Sequence, residues 1–349
     1  MRVLVPVYTS LSLFLLTAHF GSCNSGMGND TVSTGNQAEL MISFYNVENL
    51  FDTVNDPLKV DEDFTPTGKL QWNTARYQKK LDDLTKVIMF MNGGVGPDVI
   101  GLCEVENRKV LEDLTLQLAS QGRIYTIVHK DSPDERGIDV ALLFDYYKFS
   151  FEGADWLTVD LDDERDPNTR DILKATLKTG NEQFTFYVNH WPSRSGGQAE
   201  SEPKRMKASS VLKTSIAETS VVNPDAQIIC MGDFNDHPTD ASLLALEAID
   251  SSNGKLAMTN CMKQLHLSGQ GSYNYKGEWG ALDQFVVNSA MQEKEGLYVD
   301  PAAAFILKEE WMLFKKDDGT LIPNRTYAGP NYTEGYSDHL PVCLPIFRK

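Results

Sequence analysis

The chain repeats one local pattern along most of its length. Short runs of β-branched, aromatic and other apolar residues end on a polar or charged side chain, and turn residues follow. Such runs predict strands over 41–47, 98–105, 125–130, 139–146, 170–178, 183–190, 226–233, 282–288 and 341–347. In the run that ends at His190, Phe184, Phe186 and Val188 share the histidine's face, whereas Thr185, Tyr187 and Asn189 take the other. The run Ile228-Ile229-Cys230-Met231 is apolar throughout, which predicts burial on both faces.

Helical periodicity fills several of the gaps. Residues 74–92 place Leu81, Leu84, Val87, Ile88 and Met91 on one stripe before Gly93-Gly94. Residues 108–120 do the same with Val110, Leu111, Leu114 and Leu118, before Gly122. Two more helices are expected over 202–219 and 239–249, the last with Thr239 or Asp240 as its N-cap. This loose alternation, with hairpins mixed in, predicts an α/β fold. Two mixed sheets face each other with helices outside, in preference to one parallel sheet.

With 349 residues, 41% of them hydrophobic and 23% charged, the chain suits one large domain or two small ones. The first 22 residues stand apart. Arg2 precedes an apolar stretch from Val3 to Ala18, followed by Gly21, Ser22 and Cys23. The stretch is short for a membrane helix and has the layout of an export signal. Phe20-Gly21-Ser22-Cys23 also resembles a bacterial lipobox, which would make Cys23 a lipidated N-terminus and a membrane anchor in the cell envelope. Ordinary cleavage, giving a periplasmic or secreted protein, is the alternative. Residues 23–38 read as a flexible tether.

Four cysteines remain, Cys103, Cys230, Cys261 and Cys343. Export permits disulfides, yet Cys103 and Cys230 fall inside apolar strands, where a buried free thiol is the commoner state. The formal charge of −17 repels polyphosphate at long range and excludes a bulk nucleic-acid binder. Action on phosphates then requires a local basic rim and bound cations.

The chemistry-bearing residues gather at predicted strand ends. Glu104 ends Val99-Ile100-Gly101-Leu102-Cys103, and Asn46 ends Ser43-Phe44-Tyr45. A carboxylate at a strand tip reaches a cleft while its strand stays buried, and oxygen ligands suit Mg²⁺, Mn²⁺ or Ca²⁺. Asp233 and Asn235 flank Phe234, so an extended chain points both into one place. The carboxylate can take a proton from water, and the amide can donate to a phosphoryl oxygen. His190 and Arg194 put an imidazolium beside a guanidinium, which makes an anion site. Asp338-His339 precedes the last strand and offers a carboxylate for a cation and an imidazole for phosphate oxygens. Asp283, at another strand start, is placed to orient His339. Singly, each group has a plainer reading, as a capping carboxylate, a turn residue or a structural strand-end histidine.

Taken in order, the set from Asn46 through Glu104, His190, Asp233, Asn235 and Asp283 to Asp338-His339 resembles the endonuclease/exonuclease/phosphatase superfamily, from Ile42 to the C-terminus. Phe44-Tyr45-Asn46-Val47-Glu48-Asn49-Leu50-Phe51-Asp52 and Arg136-Gly137-Ile138-Asp139-Val140-Ala141-Leu142 look like an exported bacterial nuclease-like branch, related to pancreatic-type deoxyribonuclease. The resemblance implies one domain over 39–349, a four-layer α/β sandwich of two mostly antiparallel mixed sheets. It implies that Glu104, Asp338 and Asn46 hold the divalent cation, and that Asp233 orients or deprotonates the attacking water. His190 and Asn235 would stabilise the pentavalent phosphorus, and His339, steered by Asp283, would bind a phosphate oxygen. Asp139 is implied as the carboxylate partner of His190.

The implied activity is Mg²⁺-dependent phosphodiester hydrolysis, with nucleic acid as the leading substrate. Arg194, Lys204, Arg205 and Lys207 are then candidates to track its phosphates, and Trp191, Tyr273, Tyr275 and Trp279 to stack on its bases. Two rival readings stand beside it. One is a lipid or inositol phosphoesterase of the sphingomyelinase or phosphatase kind. The other is a catalytically inactive surface-binding protein on the same fold.

Overall fold

The computed structural model describes residues 37–161, 169–249 and 256–349. The export signal, Cys23, most of the tether and the acidic run at 162–166 lie outside the described residues. All nine expected strands form, within three residues of their expected ends. Ser150–Leu157 is an additional strand that its polar sequence, SFEGADWL, conceals. It lies on a sheet edge, paired only with Ile172–Thr179, where water tolerates its charged side chains.

One sheet runs Leu297–Val299, Val342–Arg348, Leu40–Leu50, Val99–Val105, Asp139–Asp145, Tyr125–His129. The other runs Ser150–Leu157, Ile172–Thr179, Glu182–His190, Gln227–Asp233, Asp283–Asn288, Met258–Asn260. Each holds a single parallel pair among antiparallel ones, and each parallel pair is bridged by a helix. Thr74–Gly94 joins Leu40–Leu50 to Val99–Val105, and Gln198–Val222 joins Glu182–His190 to Gln227–Asp233. A parallel connection demands such a crossover.

Packing follows from strand alternation. Ile42, Phe44, Val99, Val140 and Leu142 of the first sheet meet Phe184, Phe186, Val188, Ile229, Met231 and Phe285 of the second in a dry layer. The opposite face of the first sheet, with Tyr45, Ile100 and Leu102, packs on Leu84, Ile88, Val110 and Leu114 of the first two helices. The opposite face of the second, with Tyr187, Ile228 and Cys230, packs on Leu212, Ile216 and Leu243. The order is helices, sheet, sheet, helices, the four-layer sandwich. Cys103, Cys230, Cys261 and Cys343 are all buried free thiols.

Side chains fix the helix entries. The Asn73 carboxamide accepts from Ala75 N and Arg76 N, and that of Asn107 from Val110 N. Asp240 occupies the N-cap of Ala241–Glu247 but makes no cap bond. Its carboxylate accepts instead from Arg194 Nη2, at 2.6 Å, and from His237 N, at 2.7 Å. Arg194 also donates to the carbonyl of Asn235, at 2.8 Å. Arg205 is fully buried, with Nε 2.7 Å from Asp236 Oδ1. Both arginines therefore clamp the loop after Asp233 from below. Arg205, fully buried on Asp236, is therefore removed from the phosphate-tracking candidates, whereas Arg194 is tied to Asp236 and Asp240 with its side chain partly exposed. Trp191 is likewise removed from the base-stacking candidates. It is buried edge-on against Phe234, at 4.7 Å.

Gly232 sets how closely the strands that carry His190 and Asp233 approach. A Cβ there would lie 2.4 Å from the Asn189 carbonyl oxygen and 2.6 Å from Asn189 Cβ. Neither atom can retreat, since both belong to a central strand. Gly232→Ala should therefore destabilise the protein by about 1–3 kcal/mol, as overpacking does. Denaturant unfolding of the variant checks this, and a midpoint equal to wild type would show that the strands can separate freely.

Candidate active site

Strand register assembles the polar cluster. His190 pairs with Asp233 across the parallel ladder, and Asp233 pairs with Asp283 across the antiparallel one. The three therefore form one row across the second sheet. Each continues an inward-facing apolar row, so their side chains gather where the dry layer between the sheets ends. Asn46 does the same from the first sheet, following Ile42 and Phe44.

Glu104 arrives differently. It sits at an irregularity between Cys103 and Val105, with φ at +62°. Strict alternation would turn it toward the helices with Leu102. The bulge turns it across the strand end instead, where Asn49 N donates to Oε2, at 3.1 Å, and Asn46 Nδ2 lies 3.3 Å from Oε1. The Asp233–Asn235 segment is a turn rather than extended chain. Asn235 N donates to Asp233 Oδ1, at 3.0 Å, and Asn235 has φ at +51°.

Asp233 is the hub. Its Oδ2 accepts from Asn46 Nδ2, at 3.1 Å, and lies 3.8 Å from His190 Nε2 and 3.9 Å from His339 Nε2. Burial, helped by the charges of Asp283 and Glu104, pushes its carboxyl up to about 7 against the pull of His339. Asp283 Oδ2 meets His339 Nδ1 at 2.7 Å. Burial opposes charge on that imidazole, but Asp283, Asp233 and Asp338 overcome it and hold its pKa well above the usual histidine range. The ring of Tyr273 lies over it, at 4.8 Å.

His190 behaves in the opposite way. Burial, followed by the nearby charges of Arg170 and Arg136, drives its pKa well below the ordinary value. Burial and the two arginines thus disfavour the expected imidazolium at His190, whereas the carboxylates around His339 favour one there. Arg170 fixes the turn after His190 by donating to the carbonyls of His190, at 3.2 Å, and Trp191, at 2.7 Å. Asp139 is not the partner of His190. Its Oδ2 meets His129 Nε2 at 2.9 Å and its Oδ1 accepts from Ser132 N at 2.7 Å, so both oxygens are occupied elsewhere.

Asn46 faces the carboxylates with its amide nitrogen, because its Oδ1 accepts from Glu48 N at 3.0 Å. It bridges Glu104 and Asp233 rather than offering an oxygen to a cation. Asp338 lies beyond, paired with Arg325 Nη2 at 2.8 Å. The same guanidinium reaches Glu48, which is buried and was absent from the sequence-derived site. One signal for Glu48 was available, its position two residues past Asn46. Arg325 had none, since it lies in an irregular loop.

A divalent cation fits these residues. The carboxylates of Glu104, Asp233, Glu48 and Asp338 provide hard oxygen donors at the end of the sandwich. Among the described residues, donor atoms of Asp233, Asp283 and His339 cluster within 4.8 Å, as do those of Cys103, His190 and Asp233.

Known proteins share this fold. The chain superposes on a humanized TDP2 from D. rerio carrying 14 mutations with a TM-score of 0.56 and 15% identity, over 88% of this chain and 98% of that one. The human Nocturnin catalytic domain with bound sulfate gives 0.54 and 18%, over 88% and 93%. A mannosyl-6-phosphatase from Bacteroides thetaiotaomicron gives 0.53 and 18%, over 88% and 99%. No curated protein sequence matches significantly. The sequence model of the Endonuclease/Exonuclease/phosphatase family matches residues 41–348, a span that contains every group of the site. With sandwich, strand-tip cluster and sequence match in agreement, this chain belongs to the endonuclease/exonuclease/phosphatase family, whose members are phosphoesterase hydrolases.

Proposed function

We propose that this chain is a Mg²⁺-dependent phosphodiesterase that passes the phosphoryl group to water, with nucleic acid as its substrate. The observation that carries this reading is Asp233, a buried carboxyl raised to about 7 and ringed by donors from both sheets. A pKa near the working pH is what a general base needs. Asn46 Nδ2 and Asn235 N hold the carboxylate in one orientation, so it takes the proton of a water without first reorganising. A cation held by Glu104 and its neighbours would neutralise charge on the phosphate and acidify bound water. The His339 imidazolium, fixed by Asp283, donates from Nε2 to a phosphoryl oxygen as charge accumulates there. Asn235 donates one Nδ2 hydrogen to the Trp191 carbonyl, at 3.0 Å, and has the other for the same anion.

A second reading, a small phosphoester such as a sugar or inositol phosphate, is favoured by one observation. Arg194 and Arg205 are engaged beneath the loop, which leaves fewer cations to track a long polyanion. A location in the cell envelope, through a lipid on Cys23, belongs to the same proposal. Radiolabelled fatty acid should enter the wild-type protein in its native host and not Cys23→Ser. Equal labelling of both would remove the anchor.

Asp233→Asn should lower turnover by about 10²–10⁴, the usual effect of losing a general base. Its folding stability should move the other way. A carboxyl whose pKa rises on folding makes the native state less stable as pH climbs from the ordinary Asp range toward 7. The isosteric amide removes that penalty. The metal-free variant should therefore melt at or above the wild-type temperature at pH 8. Turnover above half of wild type on bis-p-nitrophenyl phosphate would show that Asp233 is not the base.

DNA binding itself separates the two substrate readings, and its salt dependence gives the number of phosphates contacted. Each phosphate contact contributes about 0.7–0.9 to the slope of log affinity against log salt. With Arg194 and Arg205 engaged, Asp233→Asn at fixed Mg²⁺ should give a slope below about 2. No measurable DNA binding, together with rapid cleavage of a sugar or inositol phosphate by wild type, would replace the nucleic-acid reading with the second one.

A further inference from the structure

A cavity of about 250 Å³ lies beside the catalytic cluster, with Asn49, Phe64, Leu70, Trp72, Arg325 and Tyr327 in its lining. Its apolar wall is separate from the dry layer between the sheets. Phe51, Trp72, Ile138 and Tyr327 form a small core of their own, and Phe64 and Leu70 pack against it. Trp72 Nε1 donates to the Phe51 carbonyl at 2.9 Å, and Tyr327 Oη donates to the Leu70 carbonyl at 3.0 Å. These bonds tie the segment before the first helix to the loop after Arg325. Phe64 stacks on Phe51 at 4.2 Å and stays half-buried. The wall is thus formed in advance, and a ligand need not order it on binding.

Two lining residues also reach the catalytic cluster. Asn49 N donates to Glu104 Oε2 at 3.1 Å, and Arg325 Nη2 donates to Asp338 Oδ2 at 2.8 Å. Most other polar groups of the lining are already engaged. Glu48 accepts from Arg325 Nε at 3.3 Å and from Thr326 N at 2.6 Å. The Thr326 hydroxyl accepts from Lys80 Nζ at 2.6 Å. Among the described residues, none bonds to the Asn49 carboxamide. That group presents an N–H beside an oxygen, the pair that reads the edge of a nucleobase. A sugar ring would bring several hydroxyls, and each one buried here without a partner weakens binding.

We propose that this cavity is a nucleobase subsite, which takes the base next to the scissile phosphate against Phe64 with its edge on Asn49. This rests on the phosphodiesterase reading above. The volume lies below the range of drug-sized pockets, about 300–1,000 Å³, and suits one ring system. A base can enter only by leaving its stack, which costs least in a single strand. Single-stranded nucleic acid is therefore the form that this subsite selects.

Isothermal titration of the full chain with adenosine 5′-monophosphate and with ribose 5-phosphate tests this, because the two ligands differ by the base alone. Wild type should bind the nucleotide about tenfold or more tightly, the usual effect of one stacked base. Phe64→Ala and Asn49→Gly should each bring that ratio toward one. Glycine suits the left-handed backbone of Asn49, where φ is +57°. Equal affinity for both ligands in wild type overturns the proposal, and that comparison depends on no variant folding. The ratio retained in both folded variants also overturns it, as does tighter binding of mannose 6-phosphate than of the nucleotide. Hydrolysis of a dinucleotide by wild type keeps the two readings apart. No cleavage, alongside the expected preference for the nucleotide, would remove the phosphodiesterase reading and leave the subsite. Cleavage without that preference would remove the subsite alone.

Discussion

The two sheets bury their inward apolar rows against each other, and the polar site lies where those rows end. Ile42 and Phe44 lead to Asn46, Phe186 and Val188 to His190, Ile229 and Met231 to Asp233, and Val287 and Phe285 to Asp283. Because side chains alternate with a period of two, each terminal group must point into the space between the sheets. It then has dry core on one side and the open sandwich end on the other. That boundary is what perturbs the titration of Asp233, His190 and His339, since burial is the largest influence on all three. The same burial produces opposite outcomes at the two histidines. Asp283 lies against His339, whereas His190 has arginines nearby and no carboxylate within hydrogen-bonding distance.

Alternation alone would leave the cluster incomplete, and strained backbone supplies the remainder. Among the described residues, eight non-glycine residues have positive φ, and Glu48, Asn49, Glu104 and Asn235 are four of them. Each such conformation costs about 1–3 kcal/mol and persists only where its surroundings over-determine it. Here the surroundings are specific. Asn49 N holds Glu104, Thr326 N holds Glu48, and the Asp233 carboxylate holds Asn235 N. The strain and the ligand-like carboxylates therefore occupy the same few residues.

Electrostatics in this strongly acidic chain is a matter of where its cations are engaged. Arg170 donates to strand-tip carbonyls, Arg205 pairs with Asp236, and Arg194 ties the Asp233 loop to Asp240. Arg123 does equivalent work far from the site, pairing with Asp98 and Asp145. Arg194 and Arg205, which look like part of a basic rim in one dimension, become braces in three. What they provide is rigidity in the loops that carry Asp233 and His190, and preorganised donors are effective because they need not move as charge develops.

The sequence by itself determined nine central strands, the main helices and most of the cluster. Period-two and helical patterns are local, and a polar residue closing an apolar strand is visible without any knowledge of its neighbours. Asn46, His190, Asp233 and Asp283 were legible for that reason, and so was the pairing of Asp283 with His339. The tertiary structure decided what local pattern cannot encode. Glu104 joins the site only through a bulge that reverses its alternation. Asp139 pairs with His129, its neighbour across the strand ends, and not with His190. Arg325 reaches Glu48 from 277 residues away along the chain. Which carboxylate a cation meets, and whether a histidine is charged, depend on distances across two sheets and on exclusion of water. Those are properties of the packed sandwich and are absent from any single stretch of the chain.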